Sequence, residues 1–179
     1  RTMFRGINIG FLPLYDIHYA STRYRVFQFF NLLRDRGYRC HVVPAPLFKQ
    51  TSRIIYLPRL LKLAIRCDVL YIQKRLLPRW ILNLVTKVNE HIIFDFDDAL
   101  YLHASHLETF NHVLKSAKLV ITGNQHLSEY ASKYNPSTII IPTVLDTDHY
   151  KAAQGDRHPD ESRVLIGWIG YDSERGDLD

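Results

Sequence analysis

Cysteine is scarce: only Cys40 and Cys67 occur in 179 residues. Two thiols without metal-ligand spacing exclude a disulfide scaffold or a zinc module, and leave both as buried or idle side chains. Long apolar runs are missing as well. No stretch reaches the roughly 18 to 20 uninterrupted apolar residues that cross a bilayer, and the opening RTMFRGINIG has neither the apolar segment nor the small-residue cleavage site of a secretory signal. A cytoplasmic protein is the expectation. There is no zinc finger, RNA-binding sheet motif or basic helix ahead of heptads, so nucleic acid is not expected as a partner. What is present suits a packed globular core: 46% of the residues are hydrophobic and 23% charged.

The net charge of +5 is regional. Residues 53–90 hold eight bases (Arg53, Arg59, Lys62, Arg66, Lys74, Arg75, Arg79 and Lys87) against Asp68 and Glu90, a net +6, so the rest of the chain is close to neutral. These bases are mixed with Leu57, Leu60, Leu61, Leu63, Trp80, Ile81 and Leu82. That is the composition of elements that rest on an anionic leaflet while packing inward, and equally of a solvated helix face. An anionic membrane surface or a phosphorylated substrate is the expected partner.

Apolar runs at residues 7–12, 40–43, 69–72, 92–96, 119–122 and 137–141 read as buried strands, and 21–36, 58–66, 80–88, 107–116 and 125–133 carry helical spacing. Pro58 suits a first helical turn. Alternation on this scale predicts an α/β fold, a parallel sheet with helices on both faces. After Pro142 the texture changes. Residues 1–142 read as one domain, the polar stretch 143–163 as a linker, and 164–179, an apolar run followed by glycines, as the opening of a second α/β domain.

Ligands of parallel α/β sheets sit at the carboxyl ends of the strands, so the residues after each strand are the candidates. After the first strand, Ser21 or Thr22 can cap a helix whose opening turn holds Arg23 and Arg25, beside free backbone N–H groups. An anion such as a phosphate or a sugar carboxylate suits that set; otherwise the arginines are solvated or paired with Asp16 or Asp35. In IIFDFDDAL, residues 92–100, period-two alternation puts Asp95 and Asp97 on one face and Asp98 in the turn beyond. Carboxylates this close repel, so at least one must be raised in pKa, paired with a base, or neutralised by a metal. A helix cap accounts for one of them but not for three, and the D-x-D spacing by itself does not specify a metal.

Gly123 permits close approach of a ligand, and Asn124 can cap the following helix. Gln73, Lys74 and Arg75 bring charge to the same edge, lining the cleft or facing water. Gly167 and Gly170 would let backbone N–H groups meet a diphosphate. His103 and His106 share a helix face, and a surface or packing role is expected for both.

In their order along the chain, ASTRYRV, RDRGY, DFDDALYL, VITGNQHLSEYA and the exit IPTVLDTDHY resemble the retaining glycosyltransferases of family 4, which have the GT-B fold. The resemblance spans residues 5–171 and implies a Rossmann-like, amino-terminal, acceptor-side domain. It also implies a nucleotide-sugar donor as co-substrate with no further cofactor and no metal, a glycan or lipid-linked acceptor of the cell envelope, and a position on the inner face of the membrane. Ser21, Arg23 and Arg25 would hold phosphate, Asp95, Gly123 and Asn124 would contact substrate, and Asp97 or Asp98 would position the acceptor hydroxyl. Gly167 and Gly170 would begin the donor domain. Two features depart from the pattern: FLPLYD replaces a glycine pair after the first strand, and the donor domain's paired-glutamate motif and phosphate clamp are missing.

The chemistry is consistent, because a departing nucleoside diphosphate needs positive charge and helix N-termini rather than a strong base. Two other readings stay open. One is a haloacid-dehalogenase-like, magnesium-dependent phosphatase with Asp95 as nucleophile and Asp97 as general acid. The other is a non-catalytic sugar- or lipid-binding half-domain.

Overall fold

The six apolar runs pair side by side. The computed structural model describes residues 6–44, 50–102 and 104–151, without the side chains of 50–55 and 104. Its strands are β1 (Asn8–Pro13), β2 (Arg39–Val42), β3 (Val69–Gln73), β4 (Ile92–Phe96), β5 (Leu119–Thr122) and β6 (Thr138–Ile140), in the order β2-β1-β3-β4-β5-β6. Every neighbouring pair is parallel. Parallel strands need crossovers, supplied by helices α1 (Ala20–Arg25), α2 (Phe30–Asp35), α3 (Gln50–Arg66), α4 (Arg79–Val88), α5 (Leu107–Ser116) and α6 (Gln125–Ser132). The chain winds from β1 to β2 and then crosses back to β3 on the far side of β1. In open α/β sheets the carboxyl ends at such a reversal form the ligand crevice.

Strand alternation builds a core on each face. Leu12, Ile72, Phe94 and Phe96 pack with Leu60, Leu82, Phe110 and Leu127 of α3 to α6, whereas Phe11 and Tyr71 turn to the other face, where Val26 and Phe30 cover them. Gly10 fixes the seat of α3. A Cβ there would lie 2.9 Å from Leu63 Cγ and 3.0 Å from Cys67 Sγ, so the helix rests directly on β1. Gly37 closes α2 in the left-handed region at φ 86, with its N–H donating to Arg34 O at 2.9 Å and that of Tyr38 to Leu33 O at 3.0 Å.

Two helices differ from the sequence reading. Pro58 lies inside α3 rather than in its first turn. A proline removes one donor without disturbing the apolar spacing, and Tyr56, Leu60, Leu63 and Ala64 keep one buried stripe across it. The helix expected over 21–36 is three pieces: α1, a 3₁₀ turn at Phe27–Phe29, and α2. The break falls at Val26, beside the buried Arg25. The chain divides into two compact units, Arg1–Asp146 and Thr147–Asp179. Most of the expected linker, the expected strand at 164–168, Gly167 and Gly170 lie outside the described residues.

Two buried asparagines hold helix ends in the same way. Asn89 Nδ2 donates to Ala64 O (2.9 Å) and Cys67 O (2.8 Å), while its Oδ1 accepts from His91 N (2.9 Å). Asn135 repeats this with Leu114 O, Ala117 O and Ser137 N. Each amide satisfies carbonyls that a helix end leaves without partners. Asn89→Ala is expected to cost about 1–3 kcal/mol in denaturant unfolding, and Asn135→Ala the same; a loss below about 0.5 kcal/mol in both would contradict this role.

Candidate functional site

The carboxyl edge of the sheet is organised by two cations that share three acids. Asp95, on β4 between Phe94 and Phe96, is fully buried and turned to the face that α1 covers. Arg25 grips both of its oxygens: Nε donates to Oδ2 at 2.8 Å, and Nη2 donates to Oδ1. The same guanidinium donates to Ile141 O at 3.2 Å and from Nη1 to Thr143 Oγ1 at 3.0 Å, so it also holds the segment that leaves β6. Burial pushes the Asp95 carboxyl up, and hydrogen bonds from Arg25 and Tyr71 pull it back only in part. Burial works against the Arg25 charge, but Asp95 outweighs it, so the guanidinium's pKa is raised on balance.

Lys74 is the second cation. It follows β3 at φ 55, a left-handed conformation that costs a non-glycine residue about 1–3 kcal/mol, and its N–H donates to Asp95 O at 2.7 Å. That turn carries Nζ to within 2.5 Å of Asp97 Oδ1 and 2.6 Å of Asp98 Oδ2. The Lys74 side chain is 5% exposed, Asp97 18% and Asp98 64%, so Asp98 is the carboxylate that solvent and ligands reach. Burial draws the Lys74 ammonium down, and the two aspartates more than offset it, leaving its pKa raised. Pairing with bases thus resolves the repulsion inherent in DFDD.

Ser21 and Thr22 do not cap α1, whose N-cap residue is Tyr19, without a side-chain bond. They meet the buried Gln73 instead: Thr22 Oγ1 donates to Oε1, which also accepts from Leu14 N, and Ser21 Oγ accepts from Nε2, each at 3.3 Å. Arg23 and Arg25 stand in the last turn of the six-residue α1, not its first. Arg25 is paired with Asp95 rather than with Asp16 or Asp35, while Arg23, half-buried, lies over the Tyr24 ring and reaches His18 O at 3.4 Å. Asn124 is an N-cap, its Oδ1 accepting from Leu127 N at 3.0 Å. Gly123 makes room for Asp97, whose Cβ and Cα would lie 3.0 and 3.2 Å from an added Cβ.

The basic stretch is not one surface. Lys74 and Arg75 are buried, while Arg59, Lys62, Arg66, Arg79 and Lys87 are exposed. His106 is exposed, and His103 lies outside the described residues. Burial pushes the Cys67 thiol up to about 11, in keeping with an idle thiol. Among the described residues no three His, Cys, Asp or Glu side chains converge as a ligand set for a metal ion. A phosphatase nucleophile must reach a phosphorus atom; Asp95 is enclosed and both its oxygens are occupied, so that reading loses its key residue. Sequence reasoning missed Thr143 and Ile141 as partners of Arg25; it placed Lys74 on the same edge as the acids, and the register that sets Gln73 beside Asp95 across β3 and β4 brings them together.

No protein-family model matches the chain. No curated protein matches it either. Solved structures do match, among them two alpha-glucosyltransferase complexes. One is an alpha-glucosyltransferase in complex with UDP-glucose and DNA containing an abasic site, at TM-score 0.56 and 11% identity over 80% of this chain and 44% of that one. The other is an alpha-glucosyltransferase in complex with UDP and a 13-mer DNA containing a central A:G mismatch, at TM-score 0.55 and 12% identity over 80% of this chain and 42% of that one. The likeness is one of fold: a Rossmann-like parallel sheet of the kind found in GT-B glycosyltransferases. The chain spans less than half the length of either structure.

The Lys74 pairings carry a pH signature. With its folded pKa raised, their contribution to stability is complete below the ordinary lysine value and lost as pH climbs through the higher folded one. Stability should therefore fall on the alkaline side in the wild type, and the Asp97→Asn/Asp98→Asn variant should lose that part of the slope while its Lys74 ammonium titrates lower by NMR. Identical Lys74 titration in the two proteins would refute the pairing.

Proposed function

We propose that this chain forms the acceptor-side half of a retaining glycosyltransferase of the family 4 type, which moves a sugar from a nucleotide-sugar donor to a glycan or lipid-linked acceptor. The observation that carries it is the Asp97–Asp98 pair, held by Lys74 at the crevice edge of a sheet whose fold recurs in glucosyltransferases solved with UDP and UDP-glucose. The exposed Asp98 carboxylate accepts a hydrogen bond from the acceptor hydroxyl and so orients its oxygen toward the anomeric carbon. Lys74, by pairing with both carboxylates, fixes their place at the carboxyl edge of the sheet. In a retaining transfer the departing diphosphate takes the hydroxyl proton, so Asp98 positions the acceptor rather than acting as a strong base. Arg23, near the start of the crevice, supplies positive charge for phosphate.

Further observations support a peripheral place on an anionic leaflet. Trp80 and Ile65 are 58% and 66% exposed, and Arg59, Lys62 and Arg66 are exposed on α3. No helix among the described residues is long and apolar enough to cross a membrane.

The test uses a protein that joins this chain to a donor-binding half, supplied with a panel of nucleotide sugars and with glycan, lipid-linked and DNA acceptors. Asp98→Asn should lower kcat/KM on the order of 100-fold with little change in Tm, and transfer should be confined to the glycan and lipid-linked acceptors. Transfer to DNA would overturn the acceptor assignment. Magnesium-dependent hydrolysis of a phosphate ester without sugar transfer would overturn the whole reading.

A further inference from the structure

Arg75 is the anomaly of this sheet edge. It follows Lys74 and is 8% exposed, yet it makes no ion pair or hydrogen bond among the described residues, and its Nη1 is enclosed without a partner. Its guanidinium carbon lies 4.4 Å from the ring centroid of Tyr56 on α3. Tyr56 is also 8% exposed, and its hydroxyl is likewise buried without a partner. Two orphan donors therefore belong to one stack. α3 runs back along the strands, with Leu63 over Gly10 and Tyr56 over Arg75 beyond the end of β3, so the stack sits at the carboxyl edge with Lys74 and Asp98.

Buried polar groups are nearly always satisfied, and an enclosed cation without a counter-charge is costly to keep. The other two buried cations here each have acids: Arg25 has Asp95, and Lys74 has Asp97 and Asp98. Among the described residues Arg75 has an aromatic face and no acid, and burial accordingly draws its pKa down. The missing group is an anion. A guanidinium offers a planar fork of N–H donors that matches phosphate or carboxylate oxygens, and a phenol beside it adds a third donor. Burial pushes Tyr56 up to about 12, so the hydroxyl stays protonated and able to donate.

We propose that Arg75 and Tyr56 form an oxyanion subsite that takes a phosphate or carboxylate borne by the acceptor. Its assignment to the acceptor rests on the glycosyltransferase reading; the binding of the anion does not. An anion there would neutralise Arg75, complete the hydrogen bonds of both side chains, and hold the acceptor beside the Asp98 carboxylate.

The experiment titrates inorganic phosphate, pyrophosphate and acetate into the 179-residue chain at constant ionic strength, with no sugar donor present. The Arg75 guanidinium NMR signal and the Tm are followed. In the wild type the signal should shift saturably and Tm should rise by several degrees with the preferred anion, and comparison of the three identifies phosphate or carboxylate as its source. Arg75→Met should weaken binding roughly 30-fold or more and Tyr56→Phe by about 3- to 10-fold. Since Arg75→Met can disturb packing, Tyr56→Phe and Arg75→Lys serve as milder variants that preserve most of the stack.

A Tm gain equal in wild type and variants, or an unmoved Arg75 signal with all three anions, would overturn the subsite. Sugar transfer by the extended protein in that case would leave the glycosyltransferase reading standing. Saturable, Arg75-dependent binding in a protein that transfers no sugar would sustain the anion site and overturn its assignment to the acceptor.

Discussion

The Arg25–Asp95 pair is the joint on which the carboxyl edge of the sheet depends. It lies wholly inside, where an unpaired charge is far costlier than at the surface, and it is acceptable only because both carboxylate oxygens are met by the fork of one guanidinium. Three distant parts of the chain converge on it: α1 brings the arginine, β4 the aspartate, and the exit from β6 the carbonyl of Ile141 and the hydroxyl of Thr143. Gln28 adds a bond from Nε2 to Val144 O at 2.9 Å. The exit segment is thus tied to the first helix across the end of the sheet. Residues with so many fixed partners are suited to scaffolding, which leaves contact with ligands to their neighbours.

Those neighbours are set by charge balance. Asp95 belongs to Arg25, and the remaining two acids of DFDD share Lys74, whose left-handed backbone directs its side chain back to them. The result is a gradient of access, from an enclosed Asp95 through a mostly covered Asp97 to an open Asp98. Only the outermost carboxylate stands open to solvent, and the difference between the three follows from burial. Arg75 stands outside this balance as a buried cation stacked on an aromatic ring.

Much of this was legible in the chain. Continuous apolar runs located the strands to within about one residue, because strands buried on both faces have no reason to alternate with polar residues. The crowding of three carboxylates called for bases beside them, which Arg25 and Lys74 supply, and Asn124 announced itself as a cap. What the sequence hid was pairing at long range. Arg25 looked like an anion ligand because local reasoning places it beside a helix start. The break at Val26 instead puts it at the end of a six-residue helix, facing an acid 70 positions later. Ser21 and Thr22 misled in the same way, since their partner is Gln73 on another strand. Buried Asn89 and Asn135 each accept one local bond, but the helix-end role was hidden because their amide N–H groups donate to carbonyls of helices that precede them.

The most direct measurement of the account is a double-mutant cycle across the joint, with Arg25→Met, Asp95→Leu and the combined variant compared by denaturant unfolding, together with hydrogen exchange of the Ile141 amide. Each single change strands a buried charge and should cost about 3–5 kcal/mol, whereas the double change removes both charges and should cost clearly less than the two together. Exchange of the Ile141 amide, which donates to Thr122 O, should accelerate in every variant that lacks Arg25. Additive losses, or Ile141 exchange that is unchanged without Arg25, would contradict the claim that this pair joins helix, strand and exit.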